Sequence, residues 1–398
     1  MPETKDAVIV AYGRSAVGRS LKGALTNEHP VDYAAEVLTG VLNKVPQLDV
    51  NDIDDVMVGC ALPEDVQGLN VARMISQRAN LPDSVPAQTI NRFCSSGIQT
   101  IATGANAIMA NQADIIVAGG VESMSQVPMS FDMAGINPTL RAKKPEDYMP
   151  MGLTAEVVAE KFQVPREKMD EFAMHSHHKA AAAQEAHAFD DQIIPVHYGD
   201  IEGHTKVFDK DEGVRGNLTM DQLAALPPAF KEDGGQVTAG TSSPLSDGTA
   251  FVILMSADKA AELGVKPIAR FVGYAVAGVN PAVMGLGPIY AVPKVMARTG
   301  LTIDDMDSIE LNEAFASQSL VCIDKLNLPV DKVNPRGGAL ALGHPLGATG
   351  AILTCKILSY LQATGGRYGL VTMCIGGGMG AAGIYEMIPD EETAEATA

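Results

Sequence analysis

Apolar and polar positions alternate along this chain in two textures. Short, nearly unbroken apolar runs occur at AVIVAY (7–12), DDVMVGCAL (54–62) and IIVAGG (115–120), and again at DSIEL (307–311) and YGLVTMCIGG (368–377). Their length and β-branched content predict buried strands. Between them lie helical patterns, over 31–45, over AILTCKILSYLQ (351–362), and over 94–110, where Ile98, Ile101, Ala105 and Ile108 repeat at the spacing of a buried helix face. GGALALGHPLGATG (337–350) reads as a turn, and SDGTAFVILMS (246–256) as a turn leading into a core strand.

Helix and strand follow Cys94 in the same order as they follow His344. The two ends of the chain therefore read as copies of one unit, which predicts a shared strand order and a pseudo-twofold between the copies. From 121 to 245 the texture changes to polar, methionine-rich, proline-punctuated stretches with helices such as TAEVVAEKF and REKMDEFAMHSHHKAAAAQEA. This is read as an insertion over the paired cores, in the position of a ligand-binding segment. The resulting division is 1–120 plus 246–268 for the first half, 121–245 for the insertion, 269–390 for the second half and 391–398 for an acidic tail.

At 398 residues the chain exceeds the size of one ordinary core, so several subdomains are expected. A net charge of −19 argues against nucleic acid and anionic membranes as partners. Any anionic ligand then needs a local basic patch. Five cysteines form an odd, sparse set that suits a reducing, cytoplasmic compartment better than a disulfide framework. The N-terminus has neither a secretory nor a transit pattern, the C-terminus is not a peroxisomal address, and no apolar run reaches the roughly 18 residues of a membrane span.

Three glycine-rich islands carry the candidate chemistry. In NRFCSSG (91–97), Cys94 stands at a helix start, where free backbone N–H groups and the helix dipole favour a thiolate; the plainer alternative is a buried, inert thiol. In TMCIGGGMG (372–380), Cys374 ends a strand and Gly376 allows backbone N–H groups to converge on an oxyanion. The same string matches GxGxxG at Gly378, Gly380 and Gly383, but it opens no helix inside a βαβ unit, so no dinucleotide site is expected. In LGHPLGATG (342–350), His344 sits on a turn beside a helix start. Asn312, after DSIEL, could hold a water or cap a helix. His175, His177, His178 and His187 lack the spacing of a metal site and read as a solvated helix face, so no metal is expected. Cys322 and Cys355 read as core, and Cys60 as the end of a strand.

With these islands in place the chain resembles the thiolase family over nearly its whole length, most nearly the degradative 3-ketoacyl-CoA thiolases. NRFCSSG, GGVESMS, MGLTAE, VTAGTSSPLSDG, VMGLGP, NEAFA, GGALALGHPLGATGA and CIGGGMG occur in the family's order and spacing. The resemblance implies an α/β fold of two pseudo-duplicated mixed-sheet halves in αβαβα layers, with a loop insertion. It implies ping-pong transfer through an acyl-cysteine, with Cys94 as nucleophile and Cys374 as acid/base. His344 would ionise Cys94 and, with a water on Asn312, form one oxyanion hole; the N–H groups of Cys94 and Gly376 would form the second. CoA would be a co-substrate, not a tightly bound cofactor, held by Arg215 and Ser243. Lys206, Lys210 and Arg215 would supply the local positive field, while Met151, Met284 and Phe315 line the acyl region.

Substrates and partners implied are 3-ketoacyl-CoA, acetyl-CoA and CoA, a homodimer or homotetramer, and a multifunctional β-oxidation enzyme. Acetoacetyl-CoA-specific members often carry a histidine where this chain has Pro150, which leans the reading toward degradation of longer chains. The rival readings are an acetyl-CoA C-acetyltransferase, a non-catalytic thiolase-like scaffold and a ketoacyl synthase.

Overall fold

The computed structural model describes residues 5–129, 135–199 and 205–389. The first apolar run becomes β1 (Ala7–Arg14), with all eight residues buried. It is followed by β2 (Gly18–Arg19), α1 (Pro30–Leu42), β3 (Asp55–Gly59), α2 (Val71–Arg78), β4 (Ala87–Ile90), α3 (Ser96–Met109) and β5 (Ile115–Ser123). Next come α4 (Pro138–Lys143), α5 (Met151–Lys161), α6 (Arg166–Glu185), the antiparallel pair β6 (Val196–Gly199) and β7 (Thr205–Phe208), and α7 (Met220–Ala224). The chain returns to the core as β8 (Ser246–Ser256), buried along its whole length, and α8 (Ala257–Leu263). The remainder is β9 (Ala269–Gly278), α9 (Gly287–Thr299), β10 (Ser308–Leu311), α10 (Ala316–Leu326), α11 (Ala339–Leu342), α12 (Leu346–Thr364), β11 (Tyr368–Ile375) and β12 (Met379–Met387). The stretch 391–398, read as an acidic tail, lies outside the described residues.

The two halves share a strand order. In the first, β3-β5-β8-β1 are neighbours, with β3 parallel to β5, β5 antiparallel to β8 and β8 antiparallel to β1. In the second, β10-β11-β12-β9 repeat the sequence of parallel, antiparallel and antiparallel pairings. The helices correspond as well: α1 with α9, α2 with α10, and α3 with α12. A short seam, Val8↔Arg270 and Ile9↔Ala269, joins β1 to β9 and makes both halves one ten-stranded sheet. The copies differ at their outer strands. β4 pairs with β3 in the first half, whereas in the second a single parallel bridge, Ile309↔Val333, stands at the matching place.

Alternation along the strands sorts the side chains into layers. Val8 and Val10 of β1 and Phe251 and Ile253 of β8 pack outward against Tyr33, Leu38 and Val41 of α1 and Ile75 of α2. Ile9, Val252 and Leu254 point the other way, onto Ile98, Ile101 and Ala105 of α3 and Ile357 and Leu358 of α12. Val371, Met373 and Tyr385 close that middle layer from the second half. Leu370 and Ile384 face Val292 and Val295 of α9 in the outermost layer. The order is therefore αβαβα, with α3 and α12 at the centre.

The sequence misplaces two boundaries. The turn expected over 337–350 contains α11, and α12 begins at Leu346, immediately after Pro345 at its N-cap. The insertion is anchored to the first half through the buried Arg14 guanidinium, which donates to both Asp211 oxygens at 2.7 and 3.0 Å and to Gln192 at 2.8 Å. Its own core, including Val158, Met169 and Leu223, packs on Leu286, Val321 and Leu340 of the second half.

Candidate active site

Cys94 lies in a 3-10 turn, Phe93–Ser95, that runs directly into α3. The turn is held by Ser96, whose hydroxyl accepts from Arg92 N–H at 2.9 Å and donates to the Phe93 carbonyl at 2.7 Å. Phe93 has φ +43°, a left-handed conformation in which a non-glycine side chain costs about 1–2 kcal/mol. Asn91 supports it by accepting from the Phe93 N–H at 2.8 Å. The second thiol, Cys374, sits near the end of β11, and the β11–β12 connection carries the three glycines.

Those glycines have separate reasons. Gly377 and Gly378 adopt φ of +78° and +81°. Gly376 does not; a Cβ there would meet only the Met151 sulfur, at 3.5 Å. Gly376 thus leaves open space beside the Met151 sulfur. The GxGxxG match dissolves into this turn and β12, where Gly380 packs on the backbone of Gly287.

The backbone N–H groups of Gly376 and of Cys94 itself are directed at the Cys94 sulfur. Burial outweighs them and pushes the Cys94 thiol up to about 11, so the resting group is S–H. Burial first, then the charge the nearby Cys94 would carry, hold Cys374 well above the usual thiol range. Met284 and Ala314 surround Cys374, with Met151 and Phe315 packed alongside. The acyl-region residues expected from the sequence are therefore brought to one thiol.

His344 is buried and neutral, lowered to about 4 by desolvation. Its Nδ1 lies 2.7 Å from Thr349 Oγ1, and its Nε2 lies 3.3 Å from Asn312 Nδ2. The Asn312 Oδ1 atom is buried with no hydrogen-bond partner, and Asn312 caps no helix, because Phe315 occupies the N-cap of α10. Leu346, two residues beyond His344, packs against Cys94 with Ala61 and Met124. A buried carboxylate fixes this junction: Glu122 accepts from Ala61 N–H at 2.9 Å, Gly347 N–H at 2.7 Å and Gln67 Nε2 at 2.8 Å.

A cleft of about 330 Å³ opens between α6, the 213–226 segment and the 239–244 segment. Arg215 and Arg19 line it; Lys206 and Lys210 do not. Lys206 instead faces the Tyr198 ring, and Lys210 borders a different hollow. The cleft is lined by two arginines in place of the two lysines and an arginine expected, because nearness along the 205–215 segment does not carry those lysines to it. Ser243 is held by its N–H to the Ala314 carbonyl at 2.9 Å, which places its main chain beside the cluster around Cys374, while Ser242 and Pro244 line the cleft.

The histidine cluster also needs correction. His175, His178 and His187 are exposed, but His177 is buried and accepts from the Arg215 N–H at 3.1 Å. Burial and the Arg215 charge lower it to about 4. Among the described residues no cluster of three or more metal-binding side chains occurs. Three further residues escaped the sequence reading. Gln318 contacts Cys374, Thr349 contacts His344, and Phe230 stacks edge-on against Phe315 with ring centroids 6.0 Å apart.

The family description "Thiolase, N-terminal domain" matches residues 7–258, and "Thiolase, C-terminal domain" matches 265–387. The chain belongs to the thiolase family. Among curated thiolases it is similar to the 3-ketoacyl-CoA thiolase of Bacillus subtilis, 48% identical over 96% of this chain and 100% of that one. It is also similar to the peroxisomal 3-ketoacyl-CoA thiolase A of Mus musculus, 46% identical over 96% and 91%. Two solved structures share the thiolase architecture. The acetyl-CoA acetyltransferase of Bacillus anthracis has TM-score 0.91 and 38% identity, covering 98% of this chain and 100% of that one. The dimeric peroxisomal thiolase of Saccharomyces cerevisiae has TM-score 0.90 and 39% identity, covering 96% and 98%.

Proposed function

We propose that this thiolase is a degradative acyltransferase that cleaves 3-ketoacyl-CoA with CoA, giving acetyl-CoA and a shortened acyl-CoA. The observation that carries the reading is the convergence of two N–H groups, from Cys94 and Gly376, on a thiol that lies near a second thiol. Neutral His344 takes the Cys94 proton as the sulfur attacks the keto carbon. The oxyanion formed there is received by the Cys94 and Gly376 N–H groups; donors of this kind each contribute about 3 kcal/mol.

The carbon–carbon bond then breaks, and its electron pair leaves as the acetyl-CoA enolate. His344, now protonated, and a water on the unpartnered Asn312 Oδ1 are suited to hold that enolate oxygen, while the Cys374 thiol protonates its carbon. In the second half-reaction Cys374 takes the proton of incoming CoA, whose sulfur displaces the acyl group from Cys94, and His344 returns its proton to the departing Cys94 sulfur. The cleft between Arg19 and Arg215 is assigned to the anionic end of CoA, which stays a co-substrate. Ser243 is assigned to the pantetheine arm, and Met151, Met284 and Phe315 to the acyl region.

No described helix is long and apolar enough to cross a membrane. All five cysteines are free and buried, which supports a reducing, cytoplasmic setting. The dimeric yeast neighbour supports a homodimer as the unit of assembly. The likeness to an acetyl-CoA acetyltransferase keeps acetoacetyl-CoA chemistry as the second reading.

The test is CoA-dependent turnover of a 3-ketoacyl-CoA series from acetoacetyl-CoA to long chains, with Cys94→Ala and Cys374→Ala as variants. Turnover across the longer chains, loss of acyl-enzyme in Cys94→Ala, and a fall of about 10² or more in Cys374→Ala with Cys94 still acylated are expected. Turnover confined to acetoacetyl-CoA would select the second reading, and full activity of Cys94→Ala would end both.

A further inference from the structure

Cys374 does not stand alone in its pocket. Its thiol donates to the Oε1 of Gln318, 3.2 Å away, and Gln318 is completely buried on the first turns of α10. The amide has no freedom to turn over. Its Nε2 donates to Ser319 Oγ at 3.0 Å, and the Ser319 hydroxyl has already committed its own proton to the Phe315 carbonyl at 2.9 Å. The Ser319 oxygen can therefore only accept from the amide nitrogen, which leaves the amide oxygen aimed at the sulfur. Space for the arrangement is provided by Gly285, where a Cβ would lie 2.5 Å from that of Gln318.

We propose that Gln318 is a positioning residue that holds Cys374 as a protonated thiol and so sets the direction of its proton transfers. The proposal rests on the reading of Cys374 as the acid/base. An amide oxygen at hydrogen-bond distance stabilises S–H and opposes S⁻. The resting enzyme then presents an acid when the enolate is released. After the proton moves from sulfur to the enolate carbon, the thiolate left behind faces an acceptor with no hydrogen to share, which drives it to take the proton of CoA. The titratable groups near Cys374 are the thiols of Cys94 and of Cys322 on α10; Cys322 Sγ donates to the Gly285 carbonyl.

The test follows alkylation of Cys374 by a small neutral haloacetamide against pH, read peptide by peptide, in full-length protein carrying Cys94→Ala. Adding Gln318→Met, which keeps the length and removes the oxygen acceptor, is expected to raise the thiolate fraction at a given pH about fivefold. Adding Gln318→Glu, which restores an acceptor and makes it anionic, is expected to move the titration to higher pH. With Cys94 intact, Gln318→Met should acylate Cys94 at near the native rate while overall thiolysis slows; a purely structural role would depress both steps together. Identical titrations for parent, Met and Glu forms would overturn the proposal. Should the Met form fail to fold, the Glu form alone decides, since an unshifted or downward-shifted titration contradicts it. Full turnover of Cys374→Ala would instead remove the acid/base reading on which the inference stands.

Discussion

His344 can accept a proton from Cys94 only as the tautomer with hydrogen on Nδ1. Thr349 selects that tautomer: its hydroxyl donates to the Pro345 carbonyl at 2.9 Å, so its oxygen accepts from Nδ1–H. The Asn312 amide nitrogen at Nε2 agrees, since it faces a lone pair. Thr349→Val keeps the shape and removes the acceptor. Acylation of Cys94, read as the burst of acyl-enzyme, is expected to fall on the order of tenfold. Thr349→Ser should restore most of it, and a native burst in the valine form would count against the assignment. At this scale the sequence is legible in the glycine-rich turns themselves, which the structure keeps beside Cys94, His344 and Cys374. Thr349 and Gln318 are hidden because a polar residue within a helical stretch looks the same whether it meets solvent or a buried imidazole or thiol. His177 is hidden for the same reason.

The turns that carry Cys94 and His344 are positioned by α3 and α12, which cross with their backbones in contact. A Cβ on Gly97 would lie 2.7 Å from Ala351 N, and one on Gly350 would lie 2.3 Å from Ile98 N. Gly347 is pressed as closely onto Cys60 and Ala61. These atoms are main chain and cannot swing aside, so Gly350→Ala must separate the helices. A cost of about 3 kcal/mol in unfolding free energy is expected, measured by denaturant titration, together with loss of turnover as Cys94 and His344 move apart. An unchanged midpoint and rate would mean that the crossing tolerates a methyl group. The same glycines explain why the start of α12 reads as a turn: the residues that permit close approach are those that ordinarily break helices. The strands were easier to read, because β1, β5 and β8 are buried on both faces and appear as continuous apolar runs.

The stability of the whole molecule at acid pH gathers contributions from both the surroundings of His344 and the cleft. His344 and His177 each fall from 6.5 to about 4 through burial. Their folded values lie below the unfolded one, so protonation favours the unfolded chain. The stability they permit is complete above about pH 6.5 and is lost as pH falls toward 4, by about 3 kcal/mol for each. Burial raises Glu122, Glu310 and Asp247, and protonating these favours the folded state, which opposes the loss at its acid end. Unfolding free energy measured between pH 7 and 4 should therefore decline, with a smaller slope in His177→Gln; equal slopes would remove His177 from this balance.

The outer strands of the two halves are not equivalent. On β10 the backbone is occupied: Ile309 donates to the Lys332 carbonyl and accepts from Asn334 N–H. Among the described residues no strand covers the far side of β4. A sheet with a single open margin can be lengthened once by a like copy meeting it face to face, after which no margin is left. Were like copies to pair through this sheet, growth would count to two and stop.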